Sequence, residues 1–476
     1  MSTYAINDAV HKSIIFTDRE KAVIDHPYLQ RLRSIRQLGF VSLVYPSATH
    51  DRFSHALGTM HVAGLLARQF FYNDSYSAIA RILNEKEREF LLRIIQLAGL
   101  LHDVGHAPFS HPAEPIMPPL RQLDIPKSWL IDPGEQRMAT HEDYSVLLIA
   151  GMSRGKDAVL EPDEAAIISS LIHHKKIKIP SAWSRYFSKR VDPKNLHLLA
   201  RSLVSSNIDA DRLDYLLRDS HFAGVSYGRY DLPWLVSNLG AIEHKGEYLM
   251  GISDSGIHAL EHYLFARYHM YVQVYLHKTV KCFEHYFHQA LRERETTYVL
   301  PPEREAYVAL RDSTLSEQIF EAARKNPGSW SSRLVRRAPA RRIARIWKDR
   351  AELDKIFVNL QREFEIIGVH PFMVFSQTKF LDVPEAKKES RGRGQGALLF
   401  GLAAIPMVVI RKQFGIVSAA SLDDSSFILK HYHHDISIGD IYILPEEYHG
   451  NEKKIIEISR KYRTFGPSEI ELKEEL

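Results

Sequence analysis

Apolar residues recur at three- and four-residue steps along much of the chain, which is the spacing of helices that bury one face. One such stretch begins at Lys21 and continues to Leu38, and Gly39 is predicted to end it. A second helix is predicted to open at Asp51, and a third contains the apolar run at residues 94–101. The pattern therefore predicts a mainly α fold.

Later segments extend this pattern and then change it. Thr140 precedes a predicted helix as an N-cap residue would, and a long helix is predicted from about Ser255 to Arg294. The pattern breaks between Glu295 and Pro302, so we expect a domain boundary there. Residues 397–450 favour strands, which predicts a smaller α+β region at the C-terminal side.

Composition narrows the class of protein. The chain has 476 residues, 45% of them hydrophobic and 25% charged, as in ordinary soluble globular proteins. A net charge of +4 gives no general argument for nucleic-acid binding. The single cysteine, Cys282, excludes an internal disulfide and fits a reducing compartment. Because the N-terminal residues lack the features of a signal peptide and the longest apolar run is too short to span a bilayer, we expect a cytoplasmic protein without a membrane partner.

A histidine and an aspartate, His102 and Asp103, directly follow the apolar run at 94–101 and are predicted to share its buried helix. A desolvated aspartate needs a compensating charge or hydrogen bonds. A metal cation supplies that charge, and imidazole with carboxylate is a common ligand set. His106 follows four residues after His102 and is predicted to lie on the same helical face. The alternative is a hydrogen-bonded His–Asp pair in an ordinary core.

Other predicted helices also carry polar side chains among apolar neighbours. His55 follows Arg52 by three residues, and Asp211 starts a stripe with Tyr215 and Asp219. A core histidine and an ion-paired helix face are the alternatives. Together, two imidazoles and two carboxylates would surround one metal and leave positions for water or phosphate. The candidate ligands are His55, His102, Asp103 and Asp211.

Three further features have competing interpretations. A dense basic run binds phosphate groups or forms a solvated helix face; it comprises Arg333, Arg336, Arg337, Arg341, Arg342, Arg345, Lys348 and Arg350. The glycine-rich segment 391–396 lacks the preceding strand of a nucleotide-binding loop and is interpreted as a basic loop. A strand-end cluster is favoured over metal ligation for His431, His433, His434 and Asp435.

Four blocks carry a family resemblance. They are residues 25–39, 52–58, 102–111 and 209–215, with the order H…HD…D across them. They resemble the HD-domain deoxynucleoside triphosphate (dNTP) triphosphohydrolases, which include dGTPase-like and sterile-alpha-motif/HD-like enzymes. The resemblance covers roughly residues 5–290. It implies an all-helical HD-domain core at residues 1–295 and an α+β domain for oligomerisation or regulation at residues 296–476.

The resemblance also implies an activity. Water would attack the α-phosphorus of a dNTP and release a deoxynucleoside and triphosphate, with Mn, Mg, Fe or Ni as the metal. GTP or dGTP would activate an allosteric homo-oligomer, a dimer or a tetramer. Two alternatives are an HD-type phosphodiesterase or nuclease acting on single-stranded nucleic acid or another nucleotide, and a nucleotide-sensing protein with a vestigial site.

Site residues follow from the matched positions. The resemblance implies that the metal ligands are His55, His102, Asp103 and Asp211. It places His106, His111 and His141 along the α-phosphate, with His111 protonating the departing 5′ oxygen and Glu114 supporting it where relatives have aspartate. The triphosphate would contact Arg52, Arg212, Tyr215, Arg267 and Lys278; the deoxyribose, Gln37, Leu38, Asp219 and Tyr275; and the activating nucleotide, Asp25, Gln30 and Arg33.

Overall fold

A computed structural model describes residues 2–173, 175–244, 246–378, 407–413, 416–421, 425–426 and 436–462. The glycine-rich segment 391–396 and the His431, His433, His434 and Asp435 cluster lie outside these residues. Across the described ranges, none of the helices combines the length and apolar character needed to span a membrane. The chain folds as two compact units. The first contains residues 2–270, 299–315 and the described part of 382–432, and the second contains 271–298, 316–378 and 436–462.

Helices make up most of the described chain, and the mainly α fold class is confirmed. They are α1 (Asp18–Ile24), α2 (Pro27–Gln30), α3 (Arg52–Phe71), α4 (Glu85–Leu101), α5 (His141–Met152), α6 (Pro162–Ile172), α7 (Ser181–Ser184), α8 (Pro193–Ser202), α9 (Ala210–Ala223), α10 (Leu232–Ser237), α11 (Ile257–Met270), α12 (Lys278–Arg292), α13 (Arg304–Val308), α14 (Asp312–Lys325), α15 (Trp330–Val335), α16 (Arg350–Glu365), α17 (Pro445–Tyr448) and α18 (Glu452–Tyr462). Short 3₁₀ turns occupy Arg31–Ser34, Gly39–Leu43, Ile79–Arg81, His111–Ile116, Leu120–Gln122 and Asp254–Gly256, and a π-helical turn occupies Tyr271–Tyr275.

Within the described ranges, the strands form three small sheets. They are β1 (Thr3–Asp8), β2 (Lys12–Thr17), β3 (Leu239–His244), β4 (Glu247–Ser253), β5 (Arg341–Trp347), β6 (Phe372–Thr378), β7 (Val408–Gln413), β8 (Ile416–Ser421) and β9 (Ile436–Ile443). In the first unit, β1 and β2 form an antiparallel hairpin, and β3-β4-β7-β8 form a sheet in which β4 and β7 are parallel. In the second unit, β9 lies between β5 and β6, antiparallel to both.

Helix α3 is a central element in the core of the first unit. Helix α3 packs against α4 and α9. The Asp51 side chain caps α3 by accepting a hydrogen bond from the Ser54 amide at 2.8 Å, and Asn84 and Glu87 form a capping box at the start of α4. Thr140 caps α5 as predicted. Because α3 is buried along most of its length, its few polar side chains are held at fixed positions inside the core.

The second unit has its own core. Apolar side chains of β5 and β9 pack with α16 and α18, and Ile346, Leu360 and Ile441 are fully buried there. The predicted division of the chain at residues 295 and 296 stays a prediction. Residues 299–315, which follow that boundary, fold with the first unit.

Several helix predictions were wrong in extent. The stretch from Lys21 to Leu38 breaks at Pro27, because proline has no amide hydrogen to donate and holds His26 in an extended conformation. The long helix from Ser255 to Arg294 is interrupted by the π-helical turn at Tyr271–Tyr275. Part of the basic run forms strand β5 and not a helix face, since its apolar residues pack into the sheet core.

Candidate active site

The four predicted metal ligands meet at the junction of α3, α4 and α9. His55 lies in the first turn of α3, His102 and Asp103 directly follow the last residue of α4, and Asp211 is the second residue of α9. His55 Nε2 lies 3.1 Å from Asp211 Oδ1 and 3.8 Å from Asp103 Oδ2. His102 Nε2 lies 3.3 Å from Asp103 Oδ1 and 3.4 Å from Asp211 Oδ1. Two imidazoles and two carboxylates therefore face one small volume.

His106 reaches the same volume by a different route from the one predicted. Helix α4 ends at Leu101, and residues 102–105 form a turn, so His102 and His106 do not share a helical face. Gly105 and Pro108 follow closely, and neither residue favours a continued helix. The turn nevertheless places His106 Nε2 3.4 Å from Asp103 Oδ1.

Hydrogen bonds fix which nitrogen of each ligand histidine carries a proton. His102 Nδ1 lies 2.8 Å from the Gly99 carbonyl oxygen, and His55 Nδ1 lies 2.7 Å from Asp214 Oδ2. Because these oxygens can only accept, each Nδ1 must be the donor. The Nε2 atoms of both rings are buried and have no hydrogen-bond partner in the described part of the chain. Such a pair of Nε2 atoms beside two carboxylates suits a divalent cation, with the second nitrogen of each ring held from outside.

Opposite charges in this cluster stabilise one another. Burial would raise the pKa of Asp211, but His102 and His55 lower it far below its ordinary value. Burial would lower the pKa of His102, but Asp103 and Asp211 raise it well above its ordinary value. The guanidinium of Arg52 also pairs with Asp103. The carboxylates are therefore ionised, as metal ligands need to be.

A second cluster of titratable side chains adjoins the first. Glu114 Oε1 lies 2.9 Å from His111 Nδ1 and 2.7 Å from His141 Nδ1. The His106 ring stacks on the His141 ring at 3.9 Å between centroids. The predicted catalytic residues His106, His111, His141 and Glu114 are thus brought together, and the contact of His106 with Asp103 joins them to the metal-ligand cluster.

The histidines of this second cluster differ in protonation. Burial, together with the positive charges of Arg52 and His141, lowers the pKa of His106 well below its ordinary value. Burial alone would lower the pKa of His141 too, but its hydrogen bond to Glu114 raises it. The cluster therefore combines a neutral imidazole, His106, with one whose cationic form is favoured, His141. The His111 side chain is the exposed member, at 66% of its surface.

The predicted substrate residues fall into two groups. Seven belong to the first unit: Gln37, Leu38, Arg52, Arg212, Tyr215, Asp219 and Arg267. Gln37 Oε1 is buried with no hydrogen-bond partner among the described residues, so it is available to a ligand hydroxyl. Asp219 Oδ1 lies 2.8 Å from His50 Nε2, and the Arg212 guanidinium pairs with Asp209. Tyr275 and Lys278 belong to the second unit.

The predicted activator residues lie on the short helical segments after β2. Arg33 Nε donates to Gln30 Oε1 at 2.8 Å, and the Arg33 guanidinium lies 3.7 Å from the centre of the Phe53 ring. Asp25 pairs with Lys21. Gln30 and Arg33 therefore contact each other directly, while Asp25 has its own partner.

Sequence reasoning missed the group behind His55. The fully buried Asp214 carboxylate contacts His55, lies 2.6 Å from His11 Nε2, and receives two hydrogen bonds from Arg218. Arg218 also bonds Asp8 at 2.8 Å, so the turn of the β1–β2 hairpin is tied to the ligand cluster. A Cβ on Gly58 would lie 1.9 Å from Asp214 Oδ1, so only glycine leaves room for this carboxylate. The one signal in the sequence was that Asp214 lies in the 209–215 block, three residues after the predicted ligand Asp211.

Comparison with known proteins finds a matching domain family and several similar sequences. The profile of the HD domain family matches residues 52–219. An uncharacterised protein of Methanocaldococcus jannaschii is 33% identical over 276 residues, 58% of this chain and 46% of that protein. The deoxynucleoside triphosphate triphosphohydrolase SAMHD1 homolog of Dictyostelium discoideum is 30% identical over 322 residues, 66% of this chain and 54% of that protein. The chain spans about half the length of the curated relatives it matches.

A solved structure shares the fold. The crystal structure of a hypothetical protein from Aquifex aeolicus is similar with a TM-score of 0.67 and 21% identity, over 96% of this chain and 100% of that one. All four candidate ligands lie within the matched residues 52–219. Residues 52–219 of the chain therefore match the HD domain, and the similarity to a protein named as a dNTP triphosphohydrolase agrees with the resemblance that the sequence motifs indicate.

Proposed function

We propose that this HD-domain protein is a metal-dependent phosphohydrolase that cleaves dNTPs into deoxynucleoside and triphosphate. The observation that carries the proposal is the convergence of His55, His102, Asp103 and Asp211. Both imidazole Nε2 atoms make no hydrogen bond among the described residues, and the second cluster, of Glu114 with His106, His111 and His141, lies directly beside them. The similarity to a relative named as a dNTP triphosphohydrolase supports the choice of substrate.

The four ligand residues would hold a divalent cation, with Mn, Mg, Fe and Ni as the candidates. When bound there, it would polarise a phosphoryl oxygen and lower the pKa of water. The carboxylates of Asp103 and Asp211 are already ionised, and both ring nitrogens that face them are free of hydrogen atoms once the histidines are neutral. Little rearrangement of these side chains is therefore needed for binding.

The surrounding residues supply positive charge and a proton. The Arg52 guanidinium and the cationic form of His141 lie near the α-phosphate in this proposal and would stabilise negative charge that develops there. With both ring nitrogens protonated, His111 would keep its Nδ1–H in the hydrogen bond to Glu114 and give its Nε2 proton to the 5′ oxygen as the α-phosphorus–oxygen bond breaks. The attacking water leaves its oxygen on triphosphate.

Further residues of the site are predicted to recognise the substrate. Gln37 Oε1, which has no hydrogen-bond partner among the described residues, would accept a hydrogen bond from a deoxyribose hydroxyl. Contacts of Leu38, Tyr215, Asp219, Arg212, Arg267, Tyr275 and Lys278 with dNTP, and of Asp25, Gln30 and Arg33 with GTP or dGTP, stay predictions. The dimer or tetramer and the cytoplasmic location stay predictions as well.

The basic run does not favour nucleic acid as the substrate. Four of its arginines pair within the second unit: Arg333 with Glu446, Arg342 and Arg345 with Asp440, and Arg350 with Asp354. Paired guanidinium groups are poorer phosphate contacts than unpaired ones, because an existing ion pair must first be given up. We therefore do not propose nucleic acid as the substrate, and it would be tested only if no dNTP is hydrolysed as expected.

The test identifies the phosphorus product. Purified protein is incubated with each dNTP and Mn or Mg, with and without GTP, and the products are resolved by phosphorus NMR. Triphosphate and deoxynucleoside are expected, with turnover lost in Asp211→Ala and kept in Glu89→Ala, which alters an exposed acid on α4. No turnover, or release of monophosphate or pyrophosphate, would refute the proposal and direct the work to single-stranded oligonucleotides.

A further inference from the structure

The loop between His106 and His111 contains two strained residues in succession. Phe109 and Ser110 both have φ of 61°, in the left-handed region that residues other than glycine rarely adopt. For a bulky residue such as Phe109 this conformation is costly and persists only where the surroundings impose it. The loop carries two of the predicted catalytic histidines, so the contacts that impose this strain also determine where those histidines lie.

Part of the restraint comes from residues close to the ligand cluster. Ser110 Oγ donates to the Arg36 carbonyl oxygen at 3.0 Å and accepts from Arg52 Nε at 2.8 Å. The Phe109 ring stacks on Phe40 at 4.9 Å between centroids. These contacts hold the Ser110 side chain and the Phe109 ring, but they leave the Phe109 amide to be satisfied elsewhere.

The remaining restraint comes from Asp312, at the start of α14. Its Oδ1 accepts from the Phe109 amide at 2.9 Å and its Oδ2 from the Arg36 amide at 2.9 Å. The same returning segment, residues 299–315, also supplies Tyr307, whose hydroxyl donates to the Gly105 carbonyl oxygen at 2.5 Å. The segment therefore restrains both ends of the histidine loop, although it lies outside residues 52–219 of the HD domain match.

We infer that Asp312 is a positioning residue whose carboxylate holds the strained Phe109–Ser110 turn and thereby the placement of His106 and His111 relative to Arg52. One carboxylate serves two amide donors, each with its own oxygen. Asparagine would present an NH₂ group to one of those amides, so the change Asp312→Asn replaces one hydrogen bond by a donor–donor contact. The catalytic part of this inference rests on the proposed function; the structural part does not.

The test compares Asp312→Asn with Glu317→Gln, an exposed change on the same helix, in the full-length chain. Backbone amide exchange of residues 105–112 is expected to be at least about 10-fold faster in Asp312→Asn only. We expect kcat for dNTP hydrolysis to fall by about 10- to 100-fold because the histidines are misplaced. KM is expected to change by less than about threefold, and bound metal to stay at the wild-type level, because the substitution removes no predicted substrate contact and no metal ligand.

Two outcomes would overturn the inference: exchange in residues 105–112 that matches wild type, or exchange that is faster by the same factor throughout the folded chain. If Asp312→Asn does not fold, Tyr307→Phe removes only the hydroxyl bonded to Gly105 and is expected to speed exchange in the same peptides. If wild-type protein hydrolyses no dNTP, the proposed function fails, and the exchange data still decide whether Asp312 holds the loop.

Discussion

Asp214 offers the sharpest test of how the ligand cluster is built. Its carboxylate accepts from His55 Nδ1 at 2.7 Å while Arg218 donates to it at 2.8 and 2.9 Å. In Asp214→Asn, one carboxylate oxygen becomes an NH₂ group, and the remaining oxygen cannot serve both partners fully. His55 is then free to carry its proton on Nε2, the atom that faces Asp211.

The magnitude follows from the role of such outer contacts. Loss of a partner that orients a ligating histidine costs about 10- to 100-fold in metal affinity, or about 1.4–2.7 kcal/mol. The substitution also removes the negative charge that compensates the buried Arg218 guanidinium, which lowers the free energy of unfolding by about 1–3 kcal/mol. Arg218 keeps its bond to Asp8 at 2.8 Å, so we expect the variant to remain folded.

Affinity is measured by calorimetric titration of metal-free protein with Mn, and folding by thermal unfolding of the same samples. Glu89→Gln, an exposed change on α4, is the matched control and is expected to bind as wild type does. Wild-type affinity in a fully folded Asp214→Asn would refute the reasoning, because it would mean that the bond to His55 Nδ1 does not orient the ligand.

Two further changes test other parts of the site. Glu114→Gln removes the charge that holds two histidines, so kcat is expected to fall by about 10- to 100-fold. Because the bond to Glu114 raises the pKa of His141, the limb of the pH–rate profile set by His141 deprotonation should move to lower pH; an unmoved limb would contradict the assignment. Gly58→Ala places a methyl group 1.9 Å from Asp214 Oδ1, and we expect a loss of about 1–3 kcal/mol of unfolding free energy by chemical denaturation. Gly134→Ala, with its nearest atom at 3.5 Å, is the control and should be nearly neutral.

Much of the helical framework could be predicted from the sequence because it depends on local periodicity. The stripe of Asp211, Tyr215 and Asp219 does lie on one helix, α9, and the apolar run at 94–101 is the buried end of α4. The boundary after Leu101 was missed because periodicity continues past the point where Gly105 and the loop end the helix. Strand β5 was missed since its arginines outweighed an apolar alternation that a strand also shows.

The supporting contacts could not be predicted from the sequence. Asp214 and His55 are 159 positions apart, and no local pattern relates them. Asp312 lies beyond the predicted boundary at residue 295, where nothing in the apolar spacing indicates a return to the first unit. Ligand types follow from chemistry that a short motif can display, whereas the residues that orient them are chosen by tertiary packing.

The most direct test of the central claim is hydrolysis in ¹⁸O-enriched water, with both products analysed by mass spectrometry. Attack on the α-phosphorus predicts one ¹⁸O atom in triphosphate and none in the deoxynucleoside. Label in the 5′ hydroxyl of the deoxynucleoside, or release of labelled monophosphate or pyrophosphate, would contradict the account.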